Sequence, residues 1–100
     1  MDFIKKLLGL KTKDDYKKML ENGGTIIDVR TPAEFHSGHP ENAINIPLQN
    51  LESKIKDIKK MKQPIIVCCA SGMRSASAKA ILEKHGIEVH NAGSWHNLNF

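Results

Sequence analysis

Cys68 and Cys69 are the only thiols of the 100-residue chain, and they stand side by side. Ile65, Ile66, Val67, Cys68 and Cys69 form a continuous apolar run of the kind that fills a strand buried on both faces. Strand side chains alternate, so the two thiols point to opposite faces of a sheet. Cys69 closes the run and is followed at once by Ala70, Ser71, Gly72, Met73, Arg74 and Ser75, a small glycine-containing loop that opens a helix. At such a junction several backbone N–H groups converge on whatever sits on the Cys69 sulfur, and the helix dipole and Arg74 add positive potential. Positive potential lowers the pKa of a thiol, and the thiolate is its nucleophilic form. A sulfur atom transferred onto that thiolate carries negative charge in turn, so one set of donors serves nucleophile and product. Gly72 lets the loop turn tightly. Ser71 and Ser75 add hydroxyl donors, with Ser75 also a candidate helix cap. Cys68 is assigned as an inert buried thiol.

The other residues able to do chemistry have plainer readings. Asp28, Arg30 and Glu34 could orient a substrate, but an ion pair fixing a strand-to-helix turn is preferred for them. His39 could be a base, yet an activated thiolate needs no proton abstractor, and a hydrogen-bonded turn histidine is expected. The five histidines show no metal-ligand spacing, and two thiols on opposite faces cannot chelate one ion. No metal and no cofactor are expected. Trp95 is assigned to the core in preference to a pocket rim.

The elements that must position these residues follow from periodicity and punctuation. Thr12 with Asp15 three places on resembles a capping box, and Tyr16, Met19 and Leu20 recur at helical spacing until Gly23 and Gly24 stop the run. Residues 25–29 are short, apolar and β-branched, predicting a buried strand. It hands over to a short helix in which Thr31 caps, Pro32 takes the first turn and Glu34 closes the box, ending near Gly38. Residues 43–46 give another short apolar run, stopped by Pro47. Leu48, Leu51, Ile55 and Ile58 fall at steps of three and four between lysines, which predicts one amphipathic helix broken at Pro64. A further helix runs from about Arg74 to His85, stopped by Gly86, and residues 87–90 make the last strand. Helices alternating with buried strands imply crossover connections: a three-layer α/β sandwich with a mostly parallel central sheet flanked by helices. Reacting groups gather outside the carboxyl ends of such strands, where Arg30, Cys69 and Asn91 are expected.

Length and composition bound what this domain can be. One hundred residues bury enough apolar surface for one domain and not for two, so residues 12–100 are assigned to the domain and residues 1–11 to an amino-terminal segment packed on it or loosely attached. The formal charge of +4 suits anionic small molecules or an acidic partner. The lysines lie on helix-like segments without interleaved aromatics and are read as solvated faces, not as a nucleic-acid surface. Residues 1–10 are too short an apolar stretch for a signal peptide, and no run approaches bilayer length. Phe3, Ile4, Leu7 and Leu8 share one helical face, assigned to packing on the domain ahead of membrane attachment. Two adjacent thiols that cannot staple a loop are read as reduced, which with the missing export signal places the chain in the cytoplasm.

At these residues the sequence resembles the rhodanese family over residues 25–95. The run Asp28-Val29-Arg30-Thr31-Pro32-Ala33-Glu34-Phe35, then Gly38-His39, then Ala43-Ile44-Asn45-Ile46-Pro47, is similar to the first signature of the family. Cys69, Ser71, Gly72, Arg74 and Ser75 match its catalytic signature, a strand ending in Cys and then x-Ser-Gly-x-Arg-Ser. Asn91-Ala92-Gly93-Ser94-Trp95 resembles its closing Asn-x-x-Gly-Gly segment. The resemblance implies a persulfide intermediate on Cys69, a small anionic thiosulfate-like or persulfide donor, and a thiophilic acceptor such as cyanide, a thiol or a sulfur-relay protein. Pro40 and Asn42 depart from the pattern, predicting a reshaped turn after His39, while Ser94 replaces the second closing glycine and Phe100 stands where many members continue into a further helix, which predicts less cover over the site. Two rivals stay open. A cysteine phosphatase or arsenate reductase holds its anion between Cys and Arg with five residues intervening, whereas four lie between Cys69 and Arg74. A non-catalytic binding or relay module would use the loop to dock a partner.

Overall fold

β-Branched runs such as Thr25-Ile26-Ile27 and Ile65-Ile66-Val67 are buried on both sides only if helices cover both faces of their sheet. The computed structural model describes residues 2–100. Its strands are β1 (Thr25–Asp28), β2 (Ile44–Asn45), β3 (Ile65–Cys69) and β4 (Val89–Ser94), and its helices α1 (Asp2–Leu7), α2 (Lys13–Glu21), α3 (Pro32–His36), α4 (Ile55–Lys59) and α5 (Met73–Lys84). The sheet order is β2-β1-β3-β4 with every neighbouring pair parallel. Ile27, Val29, Ile65, Val67, Cys69 and Val89 face one way and pack with Leu51, Ile55, Ile58, Ala78 and Leu82. Ile26, Ile66, Cys68 and Ala92 face the other way and meet Tyr16, Met19, Leu20, Trp95 and Leu98. This is the expected three-layer sandwich, and the strand parity that separates Cys68 from Cys69 holds.

Both expected capping boxes form. The Thr12 hydroxyl accepts the Asp15 N–H at 3.3 Å while the Asp15 carboxylate accepts the Thr12 N–H at 2.8 Å. Thr31 and Glu34 repeat the arrangement at 3.2 and 3.0 Å, with Pro32 in the first turn of α3.

Four expectations are corrected. The single amphipathic helix from Leu48 is instead two 3₁₀ turns, Leu48–Asn50 and Glu52–Lys54, followed by α4. The Ser53 hydroxyl donates to the Asn50 carbonyl at 2.7 Å, a side-chain bond that competes with the helical ladder. Leu51, Ile55 and Ile58 are buried all the same, because their spacing suits either kind of turn. The last strand covers Val89–Ser94, not residues 87–90. Its register against β3 jumps from Val67↔Asn91 to Cys68↔Gly93, so Ala92 is an extra, bulged residue, and pairing with β3 carries a polar segment into the sheet. Asn91 consequently lies inside β4 and not at a strand end. Finally, α1 forms but does not pack: Phe3 and Leu7 are 77% and 72% exposed, and Ile4 and Leu8 are exposed as well. Cys68, Ile66 and Ile26, the apolar surface of that sheet face, are already covered by α2 and the carboxyl-terminal turn.

Candidate functional site

Cys69 ends β3, completely buried, and the chain folds back over its sulfur. The Gly72 N–H donates to Cys69 Sγ at 2.9 Å and the Ser75 N–H at 3.4 Å, with the Ser75 hydroxyl 3.3 Å away. Burial pushes the thiol pKa up. Hydrogen bonds from the Ser75 hydroxyl and from the amides of Ser75, Gly72 and Ser71 outweigh it, and the net shift is downward. Cys68, one residue back on the opposite face, has its pKa pushed up by burial and then by the Asp28 carboxylate. The two thiols therefore sit in opposite electrostatic settings.

The loop holds this shape through glycine geometry and one asparagine. Gly72 sits at φ +105° directly before α5, and a Cβ on it would meet Gly93 Cα at 3.3 Å. Only glycine takes that conformation without strain and lets the loop pass so close to β4. The Gly72 carbonyl accepts from the Ala76 N–H at 3.0 Å, the Ser75 hydroxyl at 3.1 Å and Asn91 Nδ2 at 3.4 Å. Asn91 Oδ1 in turn accepts the Gly93 N–H at 2.8 Å. Asn91 thus ties the loop to the bulged strand. Spacing alone gave it no such part, since the contact depends on the unforeseen bulge.

Arg74 and Glu34 form a pair that the sequence did not suggest. Glu34 was expected in the turn with Asp28 and Arg30. It caps Thr31 and also takes the Arg74 guanidinium end-on, Nη1 to Oε1 at 2.7 Å and Nη2 to Oε2 at 3.0 Å. The pairing with Arg74, and next the Thr31 N–H, bring the Glu34 carboxyl down from 4.5 to about 2. The cation expected to face the sulfur is committed to a carboxylate. Ala70, Ser71 and Met73 form the outer rim, with Met73 79% exposed.

Beneath the site, Asp28 and Arg30 make the expected turn-fixing ion pair. Arg30 Nε donates to both Asp28 oxygens at 3.0 Å and Nη2 to Oδ2 at 2.7 Å, with both side chains buried. Arg30 Nη2 also donates to the Gly38 carbonyl at 2.7 Å, and the guanidinium lies 4.7 Å from the centre of the Trp95 ring. Trp95 is half-buried against the core, one face under Arg30. His39 is a turn histidine as expected, its Nδ1 2.7 Å from the Phe35 carbonyl and its ring stacked on Phe35 at 3.7 Å. A cavity of about 720 Å³ opens elsewhere, beside Leu20, Thr25 and Leu98 at the amino end of β1. No helix among the described residues is long and apolar enough to cross a membrane.

Comparison with known proteins bears out the fold. The family model of the rhodanese-like domain matches residues 12–98. The chain is similar to YqhL of Bacillus subtilis, 40% identical over 67 residues that make up 66% of this chain and 52% of that protein. It is also similar to the thiosulfate sulfurtransferase PspE of Escherichia coli, 39% identical over 69 residues, or 67% of this chain and 66% of PspE. The chain therefore spans between about half and two thirds of the length of these relatives. A rhodanese-like domain protein of Staphylococcus aureus superposes with a TM-score of 0.74 at 31% identity, covering 88% of either chain.

Proposed function

The chain belongs to the rhodanese-like domain family, and from that membership we propose that it is a sulfurtransferase that carries sulfur as a persulfide on Cys69. The observation that supports this most is the convergence of the Gly72 and Ser75 N–H groups and the Ser75 hydroxyl on one buried sulfur. In the loading step the Cys69 thiolate attacks the outer sulfur of a thiosulfate-like or persulfide donor. The donor S–S bond breaks, and sulfite or a thiolate leaves with the electron pair. The terminal sulfur of Cys69–S–S⁻ then carries the charge that the loop amides accept. In the unloading step a thiophile, cyanide or a thiol, attacks that terminal sulfur and the Cys69 thiolate leaves. Ala70, Ser71, Gly72, Met73, Arg74 and Ser75 form the binding loop, with Asp28, Arg30, Glu34 and His39 as its support.

The family name of the E. coli relative and the lowered Cys69 pKa support the same reading. Phosphoryl transfer is disfavoured, because four residues between Cys69 and Arg74 make a small nest and Arg74 is occupied by Glu34. Intact-mass measurement tests the proposal. Incubation with thiosulfate or with cysteine persulfide should add one sulfur to the wild type and to Cys68→Ala, and none to Cys69→Ala. Labelling of both cysteines, or of neither, refutes it.

A further inference from the structure

We propose that the loop selects its sulfur donor by charge, with Glu34 as the residue that turns it away from the thiosulfate dianion and towards a persulfide, which brings less negative charge. The inference rests on the Cys69 carrier reading and narrows its donor class.

Arg74 is the one charged residue between Cys69 and Ser75. Its guanidinium makes two parallel bonds to Glu34, at 2.7 and 3.0 Å, and the pair as a unit is neutral. The dipolar donors that remain, the amides of Ser71, Gly72 and Ser75 and the Ser75 hydroxyl, are already turned to the Cys69 sulfur. Thiosulfate loading is Cys69–S⁻ + S₂O₃²⁻ → Cys69–S–S⁻ + SO₃²⁻, so three negative charges meet over a sulfur with no free cation in its loop. Persulfide loading is Cys69–S⁻ + RS–SH → Cys69–S–S⁻ + RSH, in which the proton of the outer sulfur passes to the leaving thiolate and the loop amides hold the anion that remains. One negative charge is present throughout that step. The rim is largely apolar as well, with Met73 79% exposed beside the exposed Ala70 and only Ser71 polar, and so it suits the hydrocarbon of a thiol better than a sulfonate. The net charge of +4 belongs to the whole surface and is screened over about 8 Å at physiological salt.

Glu34→Gln releases Arg74 while its amide oxygen can still accept the Thr31 N–H of the capping box. Met73→Lys adds a cation to the rim at an exposed position. The experiment follows the rate at which one sulfur mass appears on the intact protein, with thiosulfate and with cysteine persulfide as separate donors, and reads the ratio of the two rates so that their intrinsic reactivities cancel between variants. The thiosulfate-to-persulfide ratio should rise on the order of tenfold in Glu34→Gln, the size of one nearby charge at a partly exposed site. It should rise in Met73→Lys too, with both gains shrinking as salt is added. Ratios equal to wild type in both folded variants overturn donor selection by charge while leaving the carrier reading intact. Failure of both donors to load Cys69 overturns the carrier reading, and this inference with it.

Discussion

The Ser75 hydroxyl has one proton and two acceptors within reach, Cys69 Sγ at 3.3 Å and the Gly72 carbonyl at 3.1 Å. With Cys69 protonated, the hydroxyl is free to donate to Gly72. On ionisation its proton turns to the sulfur, and the Gly72 carbonyl keeps the Ala76 N–H at 3.0 Å and Asn91 Nδ2 at 3.4 Å. Ser75→Ala removes that donor and leaves the two amides in place. A hydrogen bond to a charged partner contributes about 1.5–3 kcal/mol and a neutral one about 1 kcal/mol. The thiolate therefore loses roughly 0.5–2 kcal/mol more than the thiol does, which lowers the thiolate fraction about two- to thirtyfold at a pH on the rising part of the titration. Ser75 is buried and alanine fills nearly the same space, so the fold is expected to stand. The carbon-13 shift of Cys69 Cβ followed against pH reads the ionisation directly without a reagent having to reach the buried sulfur, and Cys68 serves as the non-titrating control. The variant curve should move to higher pH. A curve superimposable on that of the wild type would show that the hydroxyl takes no part and would refute this account of the thiol's acidity.

Asp28→Asn strands the buried Arg30 cation, and removing one partner of a buried pair costs about 3–5 kcal/mol. Thermal melts should show a midpoint roughly 15 °C lower for a domain of this size, and a fall of under about 5 °C would mean the pair contributes little. The Glu34 carboxyl has its pKa depressed to about 2 from 4.5, so its stabilisation is complete above pH 4.5 and is lost as the pH falls towards 2. The Arg74 and Glu34 side chains are 36% and 35% exposed, which holds the effect below about 1 kcal/mol. Urea melts at pH 6 and pH 2.5 should show wild type and Glu34→Gln closer together at the lower pH, and an unchanged gap would count against the pairing. Gly72→Ala forces a side chain to φ +105° against Gly93 Cα, at about 1–3 kcal/mol of strain. It should move the Cys69 titration to higher pH as the Gly72 N–H is displaced, and an unmoved titration would show that the loop tolerates the substitution.

Much of the fold was legible before any coordinates. The capping boxes at Thr12 and Thr31 and the apolar run to Cys69 depend on neighbours within a few residues, and local rules describe such neighbours well. The segment after Pro47 kept its burial pattern but not its helix, because spacings of three and four are shared by both helical forms while the Ser53 to Asn50 bond is not visible in periodicity. The polar residues 91–94 did not read as strand, since what places them in the sheet is pairing with β3.

For the site the division falls at the same line. The amino-acid sequence by itself determined that the two thiols face opposite sides of the sheet and that Cys69 heads the glycine-containing turn, because both are properties of contiguous chain. Only the tertiary structure decided what surrounds that thiol. Glu34 reaches Arg74 across 40 residues of chain and Asn91 reaches Gly72 across 19. Such contacts are set by how α3, α5 and β4 pack around one sheet end, and no spacing within any one element encodes them.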